Sequence, residues 1–281
     1  MDIKSAQSTS TICLTQFNFD RKVIVSPTRR SIISIDTTSN NKGISAMRKK
    51  KLLAAMARVE GISSQEFHDH YRHPHGTMGM QISTLRQYVQ SHQVSTRLLD
   101  ESQTRFEAVA ELWFENGDDL VHFREERTMI SYLNGDEPNF CDLRKTRLFI
   151  GEEEVLNSTP DDSLVQRDSA NGMWRLHNRP LSIKILQFIL PGDDHQWCGP
   201  NDKALGHRLG VFQHVRCHPT TPTTLVASRM TRPPDFIGVR ELWWPTITAF
   251  ERSVAADLEA WRELIVRPHT HTMLAQAERW R

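Results

Sequence analysis

Hydrophobic and polar positions alternate most clearly in two stretches far apart in the chain. Phe106-Glu107-Ala108-Val109-Ala110-Glu111-Leu112-Trp113-Phe114 and Phe236-Ile237-Gly238-Val239-Arg240-Glu241-Leu242-Trp243-Trp244 carry Phe, Val, Glu, Leu and Trp at the same places. Aromatic and β-branched residues at period two predict a strand in each case. That period puts Val109, Glu111 and Trp113 on one face and Ala110, Leu112 and Phe114 on the other, and Val239, Glu241 and Trp243 repeat the first set. Such self-similarity marks an internal repeat.

The flanks extend it. Strands are predicted over 51–57, 85–94 and 146–150, and helices from about 64 to His73 and over 118–133. Ser63 and Glu66 fit a capping box at the first helix start, and Pro74 disfavours helical geometry at the residue before it. The order β-α-β-β-α-β is the ferredoxin-like motif. A more divergent second copy has strands over 183–190, 213–217, 236–244 and 273–278, with helices over 203–211 and 247–265. A four-stranded sheet with both helices on one side leaves an apolar face bare, so two such sheets are expected to pack into one α+β barrel around a cleft. The predicted organisation is a disordered tail over 1–46, a first repeat over 47–156, a linker over 157–181 rich in Asp, Ser and Asn, and a second repeat over 182–281.

Composition narrows the function classes. The 281 residues are 38% hydrophobic and 25% charged with net charge +1, which suits a soluble cytoplasmic protein and gives no global field for nucleic acid or anionic membrane. No apolar run is long enough to span a bilayer. Cys13, Cys141, Cys198 and Cys217 form no C-x-x-C pair, which argues against a zinc or redox centre. The Ser- and Thr-rich 1–46 segment lacks the apolar stretch of a secretory signal and the continuous Arg-rich amphipathic helix of a transit peptide; a start assigned upstream of Met47 would look the same. Arg48-Lys49-Lys50-Lys51 reads as a solvated flank to the first strand, the alternative being a nuclear or phosphate-binding patch. Nucleotide loops and the G-x-S-x-G elbow are absent from the sequence.

The first copy resembles the EthD domain, a branch of the dimeric α/β-barrel superfamily. Phe67, Tyr71 and His75 match the family's F-x3-[WY]-x3-H helix; 85–92 and 109–114 match its second and third strands; 136–142 match its D-E-x-N-F-x-D loop. The likeness covers about 51–156 and fades over 182–280, where Glu241-Leu242-Trp243-Trp244 alone is sharp, the loop is missing and His207 is out of register. It implies a barrel made of two halves of one chain, a pocket without a tightly bound cofactor, and oxidoreductase-like chemistry on a small aromatic or polyketide-like molecule. A lyase, isomerase or cyclase, and a non-catalytic binding or stress protein, are the alternatives. The expected partner is that small molecule, with a further copy of the chain as a second.

His75 is the candidate acid or base, against the alternative that it only closes a loop; nearness to proline leaves His73 as the other family histidine. Tyr88 and His92 share a strand face with Gln90 and Arg86, which forms either a polar rail for substrate or a solvent-facing row. Glu111 sits in a run too apolar for a solvated edge, so it is either a buried catalytic carboxylate or half of an ion pair between sheets; its recurrence as Glu241 favours structure. Tyr71, Arg86, Trp113, Glu241 and Trp243 are the expected substrate-binding residues, with Trp113 and Trp243 otherwise read as core. The loop 136–142 is read as architectural first. His68, His70, His73 and His75 invite a metal reading, but only His70 and His73 would share a helix face, so solvated or core histidines are expected instead.

Overall fold

A computed structural model of the chain describes residues 49–100, 105–157, 179–192, 197–220 and 236–281. The segment 1–46 and nearly all of the linker lie outside these residues.

Eight strands form a closed barrel. They are β1 (Lys50–Met56), β2 (Gln87–Gln93), β3 (Ala108–Phe114), β4 (Arg147–Asn157), β5 (Leu181–Ile189), β6 (Gln213–Pro219), β7 (Gly238–Trp244) and β8 (Thr270–Arg279). The order around the barrel is β1-β3-β2-β8-β5-β7-β6-β4, and every neighbouring pair is antiparallel. Closure leaves no edge open to another chain. The first four strands run β4-β1-β3-β2 and the last four run β8-β5-β7-β6, joined through β2–β8 and β4–β6.

Among the described residues, five short helices cover the outside: α1 (Ser64–His70), α2 (Gly117–Phe123), α3 (Asp202–Arg208), α4 (Ile247–Ala256) and α5 (Leu258–Leu264). Further helical turns follow α1 over 71–79 and α2 over 127–139. The predicted 118–133 and 247–265 helices are therefore each interrupted; at Asp257 the backbone leaves helical angles and the carboxylate caps Ala260 of α5. None of the described helices is long and apolar enough to cross a membrane.

Register assigns every strand residue to one of two faces. Leu53, Ala55, Val109, Phe149, Leu186, Phe188, Val215, Val239, Met273 and Ala275 face inward and pack with Phe106 and Phe236. An eight-stranded barrel is just wide enough for side chains to fill. The expected cleft at the barrel centre is accordingly a packed core.

Charged side chains occupy the middle of that core. Lys51 pairs across the strands with Trp113, and Lys184 pairs in the same way with Trp243. Each ammonium lies 4.1 Å from its tryptophan ring centroid. Lys51 bridges to Glu111 at 3.0 Å and also to Glu241, while Lys184 bridges to Glu241 at 3.3 Å and also to Glu111. All four side chains are fully buried. Ser91 Oγ donates to Glu111 at 2.6 Å, and Cys217 Sγ, at the equivalent place, lies 3.5 Å from Glu241. Burial alone would raise the Glu241 carboxyl, but Lys184 and Lys51 outweigh it and keep the group ionised. Lys51 is thus no solvated flank: period two turns it inward, where the carboxylates hold its charge.

Candidate active site

The outer face of the first four strands carries the candidate groups. Capping sets the start of α1: Glu66 N–H donates to Ser63 Oγ at 3.1 Å and Ser63 N–H to Glu66 Oε2 at 2.7 Å. Phe67 and Tyr71, one turn apart, are both fully buried. Helical angles fail at His73 (φ −141°, ψ 122°), the residue that Pro74 restricts. The chain re-enters helical turns beyond it, with His75 buried against Phe140 and Tyr71 and His73 exposed against Thr77.

Asp136, at the end of the turns that follow α2, joins these pieces. Its Oδ2 accepts from His75 Nδ1 at 2.9 Å and its Oδ1 from His70 Nε2 at 2.8 Å. Burial would raise the Asp136 carboxyl, but the bonds from His75 and His70 more than offset it and hold the group below the usual carboxylate range. An ionised carboxylate on Nδ1 fixes the tautomer of His75 and leaves Nε2 as the basic nitrogen. Burial pushes the carboxyl of Glu137, next in the chain, upward.

Beneath them runs a row of β-strand residues at one register level: Leu148, Ala54, Ala110 and Gln90. Gln90 Nε2 donates to Tyr71 O at 2.7 Å and to the Tyr88 hydroxyl at 2.8 Å. Burial lifts Tyr88 to about 12, so it stays a phenol. Ala54 and Ala110 remain partly exposed although they lie mid-sheet. Two apolar clusters meet there, one with Phe67, Tyr71 and Phe140 and the other with Tyr88, Leu112 and Met129, and Ala110 packs against both. The seam between the clusters is floored by these two partly exposed alanines.

The structure brings together some of the expected residues and separates the rest. Tyr71, His75 and Tyr88 share this outer layer. Glu111, Trp113, Glu241 and Trp243 lie on the opposite face, inside the barrel, where the lysines and the core occupy them. Alternation puts neighbouring residues of one strand on opposite faces, so Ala110 and Glu111 cannot line the same site. Arg86 precedes β2, is 44% exposed and reaches Glu115 and Asp119, so it belongs to the surface. His92 is on the helix-facing side but at the seam with β8, its Nδ1 2.9 Å from His68 Nδ1 and its Nε2 3.6 Å from Glu278. Burial, reinforced by Arg72, pushes His92 down to about 3 and keeps it neutral. Sequence reasoning missed Asp136, although the D-E-x-N-F-x-D loop that holds it was in view, and missed Lys51 and Lys184, whose signal is a lysine at one place in two otherwise apolar strands. The one described cluster able to converge on a cation, Glu153, Cys217 and Glu241, already holds the Lys51 ammonium.

Residues 59–144, which include α1, the His75 turn, Ala110 and Asp136, match the family model of the EthD domain. Over those residues the chain is similar to the EthD domain. A solved EthD relative, an ethyl tert-butyl ether d (EthD) family protein from Bacillus halodurans C-125, is 22% identical, with a TM-score of 0.33 over 38% of this chain and 99% of that one. The crystal structure of an anthrone oxidase-like protein shares the wider fold around the EthD domain, with a TM-score of 0.51 at 12% identity over 84% of this chain and 94% of that one. No curated protein matches the chain.

Proposed function

We propose that this protein is an enzyme of oxidoreductase-like type, built from two ferredoxin-like units, that deprotonates a small apolar aromatic or polyketide-like molecule seated over Ala54 and Ala110. Support for the two units comes from the common strand order of the two halves and from the register match of Lys51, Glu111 and Trp113 with Lys184, Glu241 and Trp243. The observation that carries the catalytic reading is the His75–Asp136 bond, with His75 packed on the Tyr71 and Phe140 cluster that also packs Ala110. With Nδ1–H donated to an ionised carboxylate, Nε2 accepts a proton from an acidic C–H or O–H of the substrate, and Asp136 stabilises the imidazolium formed. Tyr88, a phenol whose oxygen already accepts from Gln90, keeps its own proton to donate to the anion. The electron-rich ring then reacts with dioxygen or rearranges. That such a base needs no tightly bound cofactor is part of the proposal and rests on the EthD likeness.

Oxygen uptake and product formation with anthrone and a panel of phenols test this. Turnover is expected in the unaltered protein. His75→Ala should lose it by about a hundredfold or more while ligand affinity, read by fluorescence, stays within about tenfold. A protein that turns over none of these compounds, or a His75→Ala variant as active as its parent, would overturn the reading.

A further inference from the structure

Strand register lets the two halves be compared residue by residue. Ala54 pairs with Ala110 in the first, and Gln187 pairs with Arg240 at the same level in the second. The row Leu148–Ala54–Ala110–Gln90 therefore corresponds to Thr272–Gln187–Arg240–Arg216. Where the alanines are partly exposed, Gln187 and Arg240 are fully buried.

The Arg240 guanidinium is held on several sides. It donates to Asp202 Oδ2 and to Trp197 O at 2.6 Å each, to Gln187 Oε1 at 2.6 Å and to Leu264 O at 3.0 Å. Trp197 lies so close over Gly238 that a Cβ there would come within 2.1 Å of its ring, so only glycine admits it. Gly238 stands at the place of Ala108 in the first half. His214, at the place of Tyr88, is buried with no hydrogen-bond partner on either nitrogen, and burial with Arg240 and Arg216 pushes it down to about 3. The arginine also brings its own buried counter-charge: Asp202 is 1% exposed and bonds to it directly.

We infer that, of these two equivalent places, the one over Ala54 and Ala110 is open to a small molecule, and that Arg240, clamped by Asp202, Gln187 and Trp197, is a built-in occupant that closes the other. The second half then serves as the partner that completes the barrel. The inference shares the place over Ala54 and Ala110 with the proposed function but does not depend on its chemistry. A long side chain at one register position thus decides whether a unit binds a molecule or supports its neighbour.

Xenon settles in apolar voids and reports them without any turnover. In crystals of the unaltered protein under xenon pressure, density is expected over Ala54 and Ala110 and none over Gln187 and Arg240, and Ala110→Arg should remove the first site. In solution, Ala54→Cys should react with N-(1-pyrenyl)maleimide at least about tenfold faster than Gln187→Cys, which reacts only through local opening. Adding Arg240→Ala should close that gap; if that variant does not fold, the unaltered crystals and the two single variants still decide. Xenon over Arg240, xenon at neither place, or equal labelling of the two cysteines would overturn the inference. Failure of the His75→Ala assay would leave these results standing, so the two ideas fail separately.

Discussion

Lys51 and Lys184 occupy the same register position in the two halves, and each ammonium reaches a glutamate of its own half and one of the other. Taking charges out of water is costly, so such a cluster is poor evidence for net stability. Its partners are nevertheless mutually dependent. Each lysine meets both carboxylates only when the halves are in register, so the cluster selects one alignment of the barrel.

Removing one member leaves buried charge without its counterpart. Glu111→Gln is expected to lower unfolding stability by roughly 3–5 kcal/mol in urea titrations, whereas Glu111→Leu combined with Lys184→Met should recover most of that loss. A Glu111→Gln protein as stable as its parent would mean the charges are not confined as described.

Asp136 is expected to govern turnover through His75. Asp136→Asn removes the carboxylate that fixes the tautomer, and turnover should fall by about 10²–10⁴-fold with KM changed far less. His73→Ala, which loses an exposed bond to Thr77 and an edge contact with Trp280, should stay close to the parent. Steady-state kinetics of the two variants side by side checks both statements, and equal losses would remove the distinction between the two histidines.

Acid sensitivity follows from His92 and His214, which the fold holds down to about 3 against an ordinary 6.5. Near neutral pH both are uncharged, folded or unfolded. As pH falls from about 6.5 towards 3, the unfolded chain binds protons that the folded chain does not, so stability is lost across that window. At about pH 4.5 each histidine is expected to account for roughly 2–3 kcal/mol of that loss. Replacing both with Gln should flatten the difference between urea midpoints at pH 7 and about pH 4.5. An unchanged slope would count against the burial of these rings.

The start of α1 offers a local check. Ser63→Ala breaks the reciprocal cap and should cost about 1 kcal/mol. Because α1 delivers Tyr71 and the His75 turn, turnover at a fixed elevated temperature should fall together with thermal stability, while a change in one alone would uncouple the helix from the site.

Much of this protein was legible in the sequence because its physics is local. Alternation in 106–114 and 236–244 located two strands and their faces, Ser63 and Glu66 located a helix start, and Pro74 marked where that helix breaks. The ion-pair alternative for Glu111 was also readable, since an apolar strand cannot hold a lone carboxylate.

What the sequence could not show is which strand faces meet. Tyr88, His92 and Glu111 were expected to act on one substrate, but the pleat sends Tyr88 and His92 to the outer side of the sheet and Glu111 to the inner side. Only barrel closure turns Lys51 and Glu111 inward against Lys184 and Glu241, and only the return of the chain after α2 brings Asp136, sixty-one positions away, to His75. Local patterning determined the elements and their apolar faces; contacts between residues distant in sequence depend on how those faces stack, and the tertiary structure alone decided them.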